Sequence, residues 1–431
     1  MKRRLPHIIL FFLFAWHAVL YAQQRFPKPE FESDYVYPEY QFSNPRNPAW
    51  EYIDVGVLVA VLTFTTWLTL KKRSRNAIIW TSLFSLAYFG FFREGCICSV
   101  GSVQNMALAL FNEGYTLPLS AFLFFLIPIL FALAYGRQFC AGACPLGAIQ
   151  ELTGFYPVKL PRGAEVILSS VPYIYLALAI LFAATDSHFI ICKYDPFVGI
   201  FRLNAPATMI IFGILLLVAG LFVNRPYCRF LCPYGVILNW LSRFSGKHLT
   251  ITPTNCINCR LCEDSCPYNA IIPSNLDAPK EKTVTSRRRF TIYLVLIPVF
   301  VITGGLFTEK LSDNLAMVHR NVRLANEIRM EIESGIQAIS QQAVTFKESG
   351  KTIEVLYQEE EVIKKRFKKG SPFVGAFLGL SFGIALLSLS MRRLRDEYKP
   401  DQGKCYSCGR CFEYCPLHNK DMVSQIDLKK P

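Results

Sequence analysis

Eight cysteines constrain this chain most. Residues 256–267 read Cys256-x2-Cys259-x2-Cys262-x3-Cys266-Pro267, and residues 405–416 repeat the pattern as Cys405-x2-Cys408-x2-Cys411-x3-Cys415-Pro416. A run with this spacing offers its thiolates to a [4Fe–4S] cluster. The chain between the two runs is not soluble in character: it holds two long apolar stretches. The whole sequence is 52% hydrophobic and 14% aromatic over 431 residues, which points to membrane spans rather than a single soluble core. Fifteen cysteines, eight of them in the two runs, favour metal sites over a disulfide framework. The formal net charge of +14 reads as basic residues flanking apolar spans. No nucleic-acid motif, Walker loop or dinucleotide glycine fingerprint is present. Six histidines, none inside an internal apolar span, leave no axial pair for a b-type haem, and no Cys-x-x-Cys-His run offers c-type attachment.

The apolar pattern sets a topology. Met1-Lys2-Arg3-Arg4 precedes an apolar stretch, so residues 1–22 read as a signal peptide or a first membrane helix, and 23–52 as an external segment rich in Pro and Tyr. Seven further spans are expected near 53–70, 77–92, 116–135, 165–184, 206–223, 290–307 and 371–391, most of them long enough for a hydrocarbon core of roughly 30 Å. The basic loop 71–76 belongs inside by the positive-inside rule. Loops 136–164 and 224–289 and the tail after Met391 then also lie inside. Loops 93–115, 185–205 and 308–370 lie outside. Within 308–370, apolar residues at helical spacing (Ile328, Ile332, Ile336, Ile339) predict an external helical hairpin that breaks near Ser349-Gly350.

The two cysteine runs resemble the two-cluster ferredoxin. In that fold the fourth cysteine of each run serves the other cluster. The resemblance implies that Cys256, Cys259, Cys262 and Cys415 hold one cluster, and Cys405, Cys408, Cys411 and Cys266 the second. It also implies that 250–280 and 400–420 are two halves of one domain. Two spans separate the halves, so both fall on the cytoplasmic face, where thiols survive. The expected fold is therefore mainly α: a polytopic helical membrane protein with a small cytoplasmic two-cluster ferredoxin-like domain. It is multi-pass in a bacterial cytoplasmic (inner) membrane, with 53–249 as a five-helix membrane core.

Four more cysteines follow two of the spans: Cys140-x3-Cys144-Pro145-x-Gly147 and Cys228-x3-Cys232-Pro233-x-Gly235. With the ferredoxin runs, this pair resembles the NosR/NapH type of membrane polyferredoxin over residues from about 50 to 267 and the run at 405–416. The flavin-binding external domain of larger members has no counterpart in these residues, so flavin is expected only through a partner. Two degenerate copies of the same element recur on the opposite face. Cys96-x-Cys98-x2-Gly101-x2-Gln104 mirrors Cys144-x2-Gly147-x2-Gln150, and Cys192-x2-Asp195-Pro196 mirrors Cys228-x3-Cys232-Pro233. Inverted repeats that place sites at helix ends are a known membrane-protein device. Cys140, Cys144, Cys228 and Cys232 are candidates for an inner iron or iron–sulfur centre, with a zinc site or structural thiols as the alternatives. Cys96, Cys98 and Cys192 are candidates for an outer centre, with Asp195 and His188 as further ligands and a disulfide as the alternative. Arg93, Arg137 and Arg225 each precede a cysteine element and are candidates either to offset cluster charge or to serve as ordinary interface anchors.

These readings converge on an electron-transfer subunit rather than a self-contained enzyme. It would relay electrons between a cytoplasmic or membrane donor and a periplasmic reductase or flavoprotein, within membrane lipid and without nucleic acid. The alternative is a redox sensor or a metalloenzyme maturation factor. A membrane anchor with docking clusters is a third reading.

Overall fold

The computed structural model describes residues 47–416, other than 48, 96–97, 156–157, 252–255, 258, 275–282, 336–339 and 391–397. The leader at 1–22, most of the external segment, Cys96, Ile336 and Ile339 lie outside the described residues.

Apolar composition makes the long helices, because only a helix satisfies its own backbone in hydrocarbon without a partner strand. Among the described residues, four helices are long and apolar enough to cross a membrane: Ala49–Lys72, Gly163–Ala184, Thr285–Lys310 and Ile353–Ser388. A fifth results if Pro196–Arg202 and Ala207–Gly220, which meet at a 109° bend, form one broken span. The helix Leu119–Tyr135 is apolar but shorter. The stretch 77–92, read from sequence as a span, divides into the helix Arg75–Ser85 and a wide π turn over Leu86–Phe92. In the first span, buried threonines return their hydroxyls to carbonyls about one turn back: Thr65 to Val61 and Thr66 to Leu62, each at 2.7 Å. Polar side chains are thereby tolerated in an apolar helix.

Two short helices fill the interior of this bundle. Ser99–Phe111 lies in a stretch that charge assigns to an external loop, yet most of its residues from Ser99 to Leu108 are buried. It packs on Leu119–Tyr135 and Arg162–Ala184, as does Pro233–Ser242, and the two short helices touch each other.

The helices Thr283–Lys310 and Ile353–Ser390 form the closest helix pair. Gly375, Gly379 and Gly383 recur every fourth residue and lie against Gly304, Phe300 and Ile297. Any Cβ at Gly375 would overlap the Gly304 carbonyl. Small residues on one helix face let two backbones approach in lipid. The expected hairpin at 308–370 is more divided than its periodicity suggests. Arg320–Ser334 stops at Gly335 (φ 68°), Gln341–Glu348 is followed by Gly350 (φ 69°), and the last segment is the start of the 38-residue helix Ile353–Ser390. A small apolar core of Leu324, Ala325, Ile328, Ala343 and Leu356 joins these segments.

Candidate iron–sulfur sites

The two four-cysteine halves, far apart in sequence, meet in space. The strands Ile271–Ile272 and Lys399–Pro400 pair antiparallel, with Ile271 opposite Pro400, and the short helices Leu261–Ser265 and Arg410–Glu413 pack together. Each run turns into its helix through a left-handed residue just after its second cysteine, Arg260 (φ 63°) in one and Gly409 (φ 80°) in the other. Glycine adopts that conformation freely and arginine at a cost.

The thiols fall into two groups. Burial pushes the Cys262 thiol up to about 12, and Cys259, Cys256 and Cys415 add to it by repulsion. Burial also pushes Cys405 up to about 12, with Cys408 and Cys266 adding to it. Cys411 rises well above the usual range through burial and then through Cys405, Cys408 and Cys266. Cys415 therefore neighbours the first run, and Cys266 the second. Exposure is uneven: Cys259 is exposed, while Cys262, Cys266, Cys411 and Cys415 are buried.

One buried core joins these residues to the first Cys-x3-Cys-Pro elements; it contains Cys228 and Ala141 beside Cys262, Cys266, Tyr406 and Cys411. Tyr406, next to Cys405, donates its hydroxyl to the Cys228 carbonyl at 3.0 Å and stacks under the Arg137 guanidinium at 4.2 Å.

The inner quartet is built from two copies of one element. Cys140 sits in the π turn Phe139–Ala143, and Cys144 caps the helix Pro145–Glu151. Cys228 sits in Pro226–Phe230, and Cys232 caps Pro233–Ser242, its Sγ accepting from the Gly235 amide at 3.3 Å. The arginines cross between copies. Arg225 lies over Gly147 and donates to the Cys140 carbonyl, while Arg137 lies over Gly235 next to the Cys228 carbonyl. Both arginines are almost fully buried, Arg225 at 2% and Arg137 at 4% exposure. Burial, then repulsion from Cys228 and Cys140, drives Cys144 and Cys232 well above the usual thiol range. As free thiols they would be neutral; bound to a metal they would be deprotonated, and the thiolates would place negative charge beside Arg137 and beside Arg225, which Glu151 already pairs. The donor set therefore has the chemistry of a thiolate-bound metal centre, while the four sulfurs are not drawn around a single ion.

The outer element repeats the geometry in detail. Gln150 accepts from the Tyr227 amide at 2.9 Å, one residue before Cys228. Gln104 accepts from the Ile191 amide at 2.9 Å, one residue before Cys192. Cys98 caps Ser99–Phe111 as Cys144 and Cys232 cap their helices. A Cβ on Gly101 would stand 3.0 Å from the Cys192 sulfur, so Cys192 lies over the turn that Cys98 opens. Asp195 occupies the position of a fourth thiol, but its Oδ1 accepts from the Phe197 and Val198 amides (2.9 and 3.4 Å) and its Oδ2 from the Tyr227 hydroxyl (3.1 Å). It works as a helix cap tied to the inner element. Cys192 is exposed. His188 faces Lys193, Arg323 and Arg320; burial and then these cations lower its pKa. Arg93 pairs with buried Asp54 at 2.5 Å rather than offsetting a cysteine site. A small apolar cavity of about 20 Å³ is walled by both Cys98 and Cys144, which sets the outer and inner elements back to back. Among the described residues, no three His, Cys, Asp or Glu side chains are drawn tightly enough to grip a single metal ion.

Sequence reasoning missed Glu151. Its carboxylate meets Arg225 (3.0 Å), Arg410 (2.9 Å) and Arg75 (3.7 Å) and accepts from the Tyr268 hydroxyl (3.2 Å). No local pattern announces it, because these partners lie far along the chain.

A family pattern described as a 4Fe-4S binding domain matches residues 117–163 and 204–252, the segments that carry the two Cys-x3-Cys-Pro elements. A second pattern of the same description matches 249–272. The uncharacterized protein MJ0750 of Methanocaldococcus jannaschii is 30% identical over 199 residues, 44% of this chain and 81% of that protein. The putative electron transport protein YccM of Escherichia coli is 31% identical over 156 residues, 32% of this chain and 43% of YccM. The regulatory protein NosR of Pseudomonas aeruginosa is 30% identical over 226 residues, 44% of this chain and 29% of NosR. The chain thus spans less than half the length of YccM and of NosR. No solved structure matches.

Proposed function

The chain belongs to the membrane polyferredoxins of the NosR/NapH type and is a membrane iron–sulfur electron-transport protein; on that premise, we propose that it relays electrons from a ferredoxin lobe through an inner thiolate centre toward the opposite face of the membrane. In this reading two [4Fe–4S] clusters occupy the lobe, one held by Cys256, Cys259, Cys262 and Cys415 and one by Cys405, Cys408, Cys411 and Cys266. Cys140, Cys144, Cys228 and Cys232 hold the inner centre. Cys98 and Cys192, with Cys96, form the outer redox group. The lobe faces the cytoplasm, and the acceptor is a periplasmic reductase or flavoprotein.

The observation that carries the proposal is the buried core that the lobe shares with Cys228 and Cys140 of the quartet, with Tyr406 bonded to Cys228 and stacked on Arg137. Iron–sulfur centres exchange single electrons, and their potentials respond to burial, net charge and hydrogen bonds to sulfur. The chain's own residues supply those controls. Exposed Cys259 lets a donor approach the outermost cluster site. Arg137 and Arg225 stabilise negative charge at the inner site. Gln150 donates from Nε2 to the Cys228 sulfur at 3.3 Å. Tyr227 ties the inner element to Asp195 of the outer one.

The proposal is tested by iron and acid-labile sulfide analysis with EPR on protein loaded anaerobically, followed by vesicle assays. Iron above about eight per chain, the content of two four-iron clusters, and its loss in Cys144→Ala/Cys232→Ala support the relay. Iron of eight or fewer in fully loaded protein sinks it. A regulatory role, suggested by the name of NosR, predicts instead that vesicles with a reductant on one side never reduce an acceptor on the other.

A further inference from the structure

We propose that Glu151 is a positioning residue that sets the electrical balance between the ferredoxin lobe and the inner quartet, an inference that rests on the relay reading. Its carboxylate is the meeting point of four distant segments. Arg225 stands three residues before Cys228. Arg410 lies between Cys408 and Cys411. Tyr268 follows Cys266 by two residues. Arg75 belongs to the basic loop after the first span and also reaches Glu413 at 2.9 Å. One side chain therefore reaches residues that neighbour the quartet and both cysteine runs in sequence, and one in that loop.

The site is enclosed: the Glu151 side chain is 9% exposed, against 12% for Arg410 and 17% for Arg75. Burial would favour its neutral form, but Arg225, then Arg410 and Arg75, hold it down to about 2 and keep the carboxylate charged near neutral pH. Three guanidinium groups converge on this one carboxylate, and charges interact strongly where water is scarce. The node lies between the Cys405 set and the Cys140 set. Loss of the carboxylate charge leaves the field there more positive and favours the reduced, more negative state of both neighbouring centres. The Cys256 set, which includes exposed Cys259, is better screened.

Potentiometric EPR titration of the full chain in detergent, loaded with clusters, tests this with Glu151→Gln, Arg410→Gln and the double variant. Glu151→Gln keeps size and hydrogen-bonding capacity but removes the charge. It is expected to raise the reduced-to-oxidised ratio of the two flanking centres about tenfold at fixed potential, about 59 mV for a one-electron couple, while the third signal moves less than threefold. Arg410→Gln shifts the same centres the opposite way, and the double variant returns toward wild type. A purely structural role produces no such sign reversal. Unchanged midpoints, or equal shifts of every signal, overturn the proposal. If Glu151→Gln fails to hold its clusters, Arg410→Gln decides alone: a fall in the flanking midpoints supports the proposal and no change overturns it. Absence of any inner-centre signal in the wild type defeats the relay reading, while the midpoint of the Cys405-set cluster still tests Glu151.

Discussion

Cys415 and Asp195 show what a residue's spacing reveals and what it hides. The cysteine runs are legible because ligand spacing is local, and electrostatic repulsion couples Cys415 to Cys262 and Cys266 to Cys405. Cys415→Ser should therefore abolish the EPR signal of the cluster that Cys256, Cys259 and Cys262 share and leave the other signal in place; loss of the signal that Cys411→Ser removes would reverse the assignment. By sequence Asp195 is only a further candidate ligand, because it stands where its copy has Cys232. Yet Asp followed by Pro at a helix start is also a capping signal, and the carboxylate is used as a cap. Glu151 was invisible because its meaning lies in partners 74 and 259 residues away. Removing one member of such a buried ionic group costs about 3–5 kcal/mol when a charge is left unpaired, so its contribution is large although no motif marks it.

Helical elements were legible where apolar length alone decides, as in Gly163–Ala184 and Thr285–Lys310. They are less legible where polar residues serve the interior. Charge alone assigns 93–115 to a connection between spans, yet it holds the buried helix Ser99–Phe111, whose Gln104 accepts from the Ile191 amide. The same trade operates at the π turn Phe139–Ala143, where Gly142 lies directly against Thr65 of the first span, too close for any Cβ. Gly142→Ala should displace this turn and with it Cys140 and Cys144. Overpacking of this kind typically costs about 1–3 kcal/mol. The expected result is a lower melting temperature in detergent and loss of inner-centre iron, with both recovered in Gly142→Ala/Thr65→Ala. Retention of wild-type iron in the single variant would remove the turn from the site.

For the whole molecule, the test is sidedness. Both spans that separate the two cysteine runs are present as long apolar helices, in keeping with runs that share a face. Reporter fusions after Asn76 and after Asn204 should report opposite compartments, and equal sidedness would refute the arrangement. The uneven burial of the thiols carries a consequence of another kind. In the proposed relay a donor would reach the lobe where Cys259 is open to solvent, and dioxygen would enter by the same door. Air should then damage the molecule in a fixed order: the cluster at Cys259 bleaches first, the one at Cys411 later, and the centre behind Tyr406 last. Visible absorbance and EPR followed through a timed exposure read this sequence directly, and simultaneous loss of all signals would show that the protein has no protected end. For a membrane electron carrier, such an order means that ageing begins at the donor side, and the chain is disconnected from its supply before its interior is harmed.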